Sequence, residues 1–205
     1  MTNLLTPFWS GLGTGLGLIV AIGSQNAYVL KQGLLRNHIF TIAALCSLID
    51  AIMIVIGVNG LGIIITSHQI ILDIAKYGGA LFLVIYGINS FRAIFKNESL
   101  EIGNTKRKTS FKKTILTILA LSLLNPHLYL DTCVLIGTIG ANFEGIEREV
   151  FTLGAVSSSF IWFFSLSYGA KLLIPIFHNP LSWKILDFTV ALIMWAIAGF
   201  LIWGM

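Results

Sequence analysis

Asp50 and Asp131 stand in stretches of sequence that are otherwise apolar, and neither has a Lys or Arg within one helical turn. A charged side chain at the centre of a bilayer costs about 2.5–3.5 kcal/mol on insertion scales, and more in simulations. Each aspartate must therefore stay protonated, face a protein interior or wet cavity, or meet a cation brought from outside. A protonated or hydrogen-bonded core aspartate is the plain alternative for each. Two such groups in one small chain are harder to explain as scaffolding. A titratable carboxylate of this kind can exchange a proton for a cationic guest, so Asp50 and Asp131 are the candidates for proton coupling.

His127 precedes Asp131 by four residues, which places both on one helix face. A His–Asp pair inside a membrane can relay protons or hold a substrate; a packed, satisfied histidine is the competing reading. Pro126 removes a backbone donor and frees the carbonyl of Ser122, and Asn125 can cap the break that results. Asn26 follows Gly23 in a similar setting. Both asparagines can contact a substrate, or do no more than satisfy a broken backbone. Gln25 points away from Asn26 and is the weaker candidate. The substrate-binding set is thus Gln25, Asn26, Asp50, Asn125, Pro126, His127 and Asp131.

The elements that must carry these residues are set by composition. Of 205 residues, 56% are hydrophobic and 11% charged, whereas water-soluble domains average about 25% charged. Six stretches approach the roughly 20 apolar residues that a spanning helix needs: 8–30, 38–65, 70–94, 114–139, 150–174 and 183–203. The expected fold is an all-α membrane protein of six transmembrane helices. The second stretch carries Gly57, Asn59, Gly60 and Gly62, so its far end is expected to break or to leave the bilayer. The flank before the first stretch lacks Lys and Arg, and no small-residue cleavage motif follows, so a retained helix is expected rather than a signal peptide.

Thirteen Lys and Arg residues give a formal net charge of +4. They gather in alternate links: Lys31 and Arg36 in the first; Arg92, Lys96, Lys106, Arg107, Lys108, Lys112 and Lys113 in the third; Lys171 and Lys184 at the fifth. Only Lys76 and Arg148 remain for the other side. By the positive-inside rule these links face the cytoplasm and both termini lie outside. That distribution also argues against a nucleic-acid partner. The basic loop 96–112 joins halves 1–95 and 113–205 of a single membrane domain. It can bind anionic membrane lipid, although a topology signal is the plainer reading.

The halves resemble each other weakly. Gln25-Asn26-Ala27-Tyr28 can be laid on Leu124-Asn125-Pro126-His127; Asp50 then falls near Ser159, and Ala80-Leu81 on Ala191-Leu192. Three spans per half means opposite insertion, hence a 3+3 inverted repeat with a site at the seam between halves and interrupted helices around it. Gly23 and Pro126 are the interrupting residues. Gly11, Gly13, Gly15 and Gly17 offer a small-residue face for close packing. Trp9, Trp183 and Trp203 are expected as interfacial anchors. Cys46 and Cys133 lack metal or redox spacing and are expected in the core.

The run Gly15–Leu34 (GLGLIVAIGSQNAYVLKQGL), the CSLIDA segment around Asp50, Asn125–Gly137 (NPHLYLDTCVLIG) and Ser157–Leu173 (SSSFIWFFSLSYGAKLL) resemble the LysE/ArgO family of bacterial lysine and arginine exporters. The likeness spans nearly the whole chain, and the NPHLYLDT block is its most specific part. The resemblance implies a multi-pass inner-membrane exporter of basic amino acids, powered by the proton motive force, with no cofactor. Its motif positions here are Gln25, Asn26, Asp50, Asn125, Pro126 and Asp131. A homodimer is an expectation from small size alone.

Charge physics agrees. Moving a cation out of a negative interior costs about 2.3 kcal/mol per 100 mV, so a channel would run inward and export needs coupling. One-for-one exchange with a proton would be electroneutral. The chain has no GxxxxGK[ST] phosphate loop, which argues against a primary pump. Alternatives are a neutral amino-acid exporter of the wider superfamily, a metal-ion transporter, for which intramembrane ligands are sparse, and an intramembrane enzyme, for which no nucleophile or zinc motif accompanies Asp50, His127 and Asp131.

Overall fold

The computed structural model describes residues 4–21, 23–60, 70, 73–95 and 109–203, and every regular element among them is helical. In chain order they are α1 (Leu5–Ile19), α2 (Ser24–Leu34), α3 (Ile39–Val58), a π turn (Ile74–Gly78) leading into α4 (Gly79–Ile94), and α5 (Phe111–Leu123). Then come α6 (Pro126–Gly140), α7 (Gly145–Gly169), a 3-10 stretch (Ala170–His178) and α8 (Pro180–Trp203). Four helical stretches are long and apolar enough to cross a membrane alone, namely those of α3, α4, α7 and α8. The pairs α1–α2 and α5–α6 qualify when each is counted as one bent span. The chain is thus a multi-pass helical membrane protein with four to six spans.

The two breaks fall where Gly23 and Pro126 stand. The axes turn by 83° between α1 and α2 and by 61° between α5 and α6. A helix end leaves carbonyls without partners, and in an apolar medium each needs one. At the first break the Asn26 amide donates to the carbonyls of Ile19 and Ala21, each at 2.8 Å. At the second, the Tyr129 hydroxyl donates to the Leu123 carbonyl at 2.8 Å. The Asn125 N–H takes the Ser122 carbonyl at 3.1 Å. The Asn125 side chain caps α6 by accepting the His127 N–H at 3.2 Å, with Pro126 in the first turn, where its missing donor costs nothing. Each break is closed by side chains of the half-helix that follows it.

Glycines let α1 lie directly on α7. A Cβ at Gly11 would strike the Phe151 carbonyl, and one at Gly15 the Ser158 hydroxyl, whereas Gly13 and Gly17 face open space. The expected small-residue face is therefore half as wide as the sequence suggested. α3 packs on α7 and on α6, where Gly57 meets the backbone of Thr132 and Cys133. α4 packs along α8. The interior is built from Tyr28, Ile42, Cys46, Ile118, Leu121, Phe163, Met194 and Leu201. Leu48 and Ile52 on the outer side of α3 are 51% and 53% exposed, which suits a lipid-facing surface and not a watery one.

The turn from α2 into α3 places Arg36 and His38 at positive φ, a strained setting for side-chain-bearing residues. Asn37 holds it by donating to Gln32 Oε1 at 2.9 Å and to Thr109 Oγ1 at 2.7 Å, tying the turn to the start of α5. Trp183 departs from its expected role as an interfacial anchor. It is buried, and its indole N–H donates to the Phe177 carbonyl at 2.7 Å, clasping the 3-10 stretch to α8. The far end of the second stretch, from residue 61 onward, and loop residues 96–108 lie outside the described residues.

Candidate functional site

A cavity of about 310 Å³ lies between the two breaks. Six of the seven residues expected to bind substrate are in its wall: Gln25 and Asn26 from α2, Asp50 from α3, Asn125 at the start of α6, and His127 and Asp131 from α6. Pro126 is buried beside it and contributes the break rather than the wall. Leu18, Ile19, Phe163 and Ile197 supply an apolar lining. Among the described residues no lysine or arginine lines this wall, which leaves two carboxylates and an imidazole as its titratable groups there.

Asp50 sits in the middle of α3 and is 3% exposed. The Ser159 hydroxyl of α7 donates to its Oδ2 at 3.4 Å, and Oδ1 is buried with no hydrogen bond among the described residues. Ser47, one turn earlier on α3, donates to the Ser159 carbonyl at 3.2 Å, so α3 and α7 are pinned together next to the carboxylate. The Gln25 amide nitrogen is likewise buried, near the Cys46 thiol. An unpaired carboxylate oxygen on a cavity wall is costly to a resting protein and useful to a ligand that supplies its complement.

Asp131 rides on a π-helical stretch, Tyr129–Ile136, inside α6. π turns are rare and recur at functional sites, because the widened ladder displaces side chains from the regular helical face. The Thr132 hydroxyl donates to the Leu128 carbonyl at 2.5 Å, taking up one backbone group of that widened turn. The Cys133 thiol donates to the Met53 carbonyl at 3.6 Å and so holds the stretch against α3. His127 stacks on Phe200 of α8, 5.5 Å between centroids at 22°, which fixes its ring at the cavity edge.

Asn26 serves the scaffold and the wall together. Its amide protons go to the carbonyls of Ile19 and Ala21, and its Oδ1 accepts the Trp162 indole N–H at 3.2 Å. Ser47, Trp162 and Phe163 have no role in the sequence reading, where Ser159 figures only as the repeat counterpart of Asp50. Serines and aromatics are common on buried helices, and only their position opposite Asp50 and Asn26 gives them a role. No group of three or more His, Cys, Asp or Glu residues that could hold a metal ion occurs among the described residues.

The sequence reading also passed over Asp187, which is 1% exposed and lies 2.6 Å from Lys31 Nζ through Oδ1. The pair belongs to a second cavity of about 580 Å³, at the end of the bundle where Lys31, Arg92 and Lys113 gather. Two turns from the start of α8 and close to Lys184, Asp187 reads in sequence as a span-end charge. Its burial depends on α2 lying across it.

Comparison with known proteins gives one family. The LysE type translocator family matches residues 16–204. The chain is 38% identical over 188 residues to the "Putative amino-acid transporter YggA" of Aeromonas salmonicida, covering 92% of this chain and 91% of that protein. It is 35% identical over 195 residues to the "Arginine exporter protein ArgO" of Pectobacterium carotovorum, covering 95% and 96%. It is 34% identical over 196 residues to the "Arginine exporter protein ArgO" of Escherichia coli K12, covering 95% and 92%. No solved structure matches the chain.

Proposed function

The chain belongs to the LysE type translocator family, so it is a transporter and not an enzyme, and from that premise we propose that it exports arginine or lysine from the bacterial cytoplasm across the inner membrane in exchange for protons. The observation that carries the reading is the cavity of about 310 Å³ walled by Asp50 and Asp131, with no lysine or arginine in the wall among the described residues. A guanidinium or ammonium supplies the missing charge, and the Asp50 oxygen without a partner is its natural acceptor. The names of the ArgO relatives point to the same substrate class. Gly23 and Asn125, the residues that begin the second half of each broken span, are both in the wall. The partial positive charge of those helix starts, with the Gln25 amide, suits the substrate carboxylate.

The architecture proposed with this function is six spans in two inverted halves, with both termini outside and the basic links in the cytoplasm. Three features support the repeat. The broken span of the first half packs on α7, and the broken span of the second half packs on α3, which is the same contact with the halves exchanged. α3 with α7 and α4 with α8 pair equivalent elements. Asp50 and Ser159, equivalent in the repeat alignment, hydrogen-bond to each other, as residues near a two-fold axis would. The cavity then lies at the seam between halves, where alternating access needs it.

The test is arginine and lysine efflux from vesicles with the pH gradient and the voltage collapsed separately. Proton exchange predicts loss of efflux when the pH gradient is removed; efflux that follows voltage alone contradicts it. Export unaffected by excess arginine or lysine would assign the cavity to a neutral amino acid instead.

A further inference from the structure

The larger cavity, of about 580 Å³, lies among α2, α4, α5 and α8, within the range of roughly 300–1,000 Å³ usual for small-molecule sites. At its wall the Asp187 side chain is almost wholly buried, and the Lys31 side chain, whose ammonium lies 2.6 Å from it, is 14% exposed. Desolvation offsets most of the attraction in a pair this deep, so stability alone is a weak reason for having it. The chemistry around it is that of a binding site. Tyr28 and Tyr86 meet edge to face beside it, 5.9 Å between centroids at 77°. The Tyr28 hydroxyl is buried near Thr109, Thr114 and Thr117. Arg92 and Lys113, both exposed, line the same space.

One carboxylate, two aromatic rings and two further cations match the parts of a basic amino acid. The carboxylate and rings suit a guanidinium or ammonium. Arg92 and Lys113 suit the α-carboxylate. An anionic lipid headgroup would find the cations but would be repelled by Asp187. We propose that this cavity is a second substrate site, on the cytoplasmic side. There the cationic side chain of arginine or lysine displaces Lys31 from Asp187, and Arg92 and Lys113 hold its carboxylate. Lys31 is a tethered stand-in for the substrate and keeps Asp187 paired while the site waits. The inference rests on the export reading above, which supplies the substrate class.

The experiment uses the full chain in inside-out vesicles and measures the initial rate of radiolabelled arginine uptake against concentration. Lys31→Met removes the competitor and lowers the half-saturating concentration, and Asp187→Asn raises it, each by about tenfold for one charge-assisted contact. The double variant stays at the Asp187→Asn value, because the acceptor is gone whether or not Lys31 is present. A gain of affinity in Lys31→Met cannot come from misfolding. A double variant that returns to the unsubstituted value, or a Lys31→Met variant with no gain, makes the pair structural and overturns the site. Vesicles of the unsubstituted chain that take up neither arginine nor lysine overturn this site and the export reading together. Uptake by the unsubstituted chain, with all variants matching it, overturns this site alone.

Discussion

In the central cavity Asp50 and Asp131 face no lysine or arginine among the described residues of the wall, whereas at the basic end Asp187 already holds Lys31 at 2.6 Å. The same side-chain type thus stands in two electrostatic settings within one small bundle. An aspartate with a built-in cation remains paired whether substrate is present or not, so a guest must compete for it. An aspartate without one must find a proton or a guest, and under the proposed exchange the choice between those two would couple a proton gradient to transport. The contrast explains why the central pair is assigned to coupling and the peripheral one to reception. It also shows why counting intramembrane carboxylates is not enough, since the partner decides the role.

The strongest way to break this comparison is to neutralise the central carboxylates. Asp50→Asn or Asp131→Asn should each reduce arginine efflux from loaded cells by about a hundredfold, the scale expected when a desolvated charge contact is lost. A variant that exports normally would remove that residue from the coupling site. Next in size is the first break. Asn26→Ala deletes the donors to the Ile19 and Ala21 carbonyls and the acceptor of Trp162. At about 1 kcal/mol net per hydrogen bond, it should cost about 2–3 kcal/mol in thermal unfolding of the purified chain. Asn125→Ala loses a single cap bond and should cost about 1 kcal/mol, so the two breaks differ in how firmly they are held.

Smaller effects sharpen the picture of α1. Gly11→Ala forces a methyl group against the Phe151 carbonyl and should lower stability by about 1–3 kcal/mol, as overpacking does. Gly13→Ala meets nothing within 4 Å and should change the melting point little, within about 0.5 kcal/mol. Equal effects at the two positions would mean that α1 does not lie on α7 as described.

Much of the fold could be read from residue order. The apolar runs, the interruptions at Gly23 and Pro126 and the isolation of Asp50 and Asp131 are all visible without coordinates. Six of the seven expected site residues reach one cavity: Gln25, Asn26, Asn125, His127 and Asp131 because they cluster around those interruptions, and Asp50 only because α3 docks against them. What could not be read was the company they keep. Trp162 against Asn26 and Ser159 against Asp50 are contacts between distant parts of the chain. The helices that carry them are apolar on most faces, so periodicity does not tell which side turns inward. Asp187 is hidden for the same reason, and Lys31 reads in sequence only as a topology signal.

The amino-acid order by itself determined the solvent, the helical class and the presence of unmatched acid in an apolar setting. Each of these is a property of a residue and its near neighbours: transfer cost, a missing N–H, the length of a run. The tertiary structure alone decided that Asp50 shares a cavity with Asp131 while Asp187 meets Lys31. Those distances follow from how helices dock, and docking in a bilayer is directed by shape and small-residue contacts rather than by a hydrophobic stripe written along the chain.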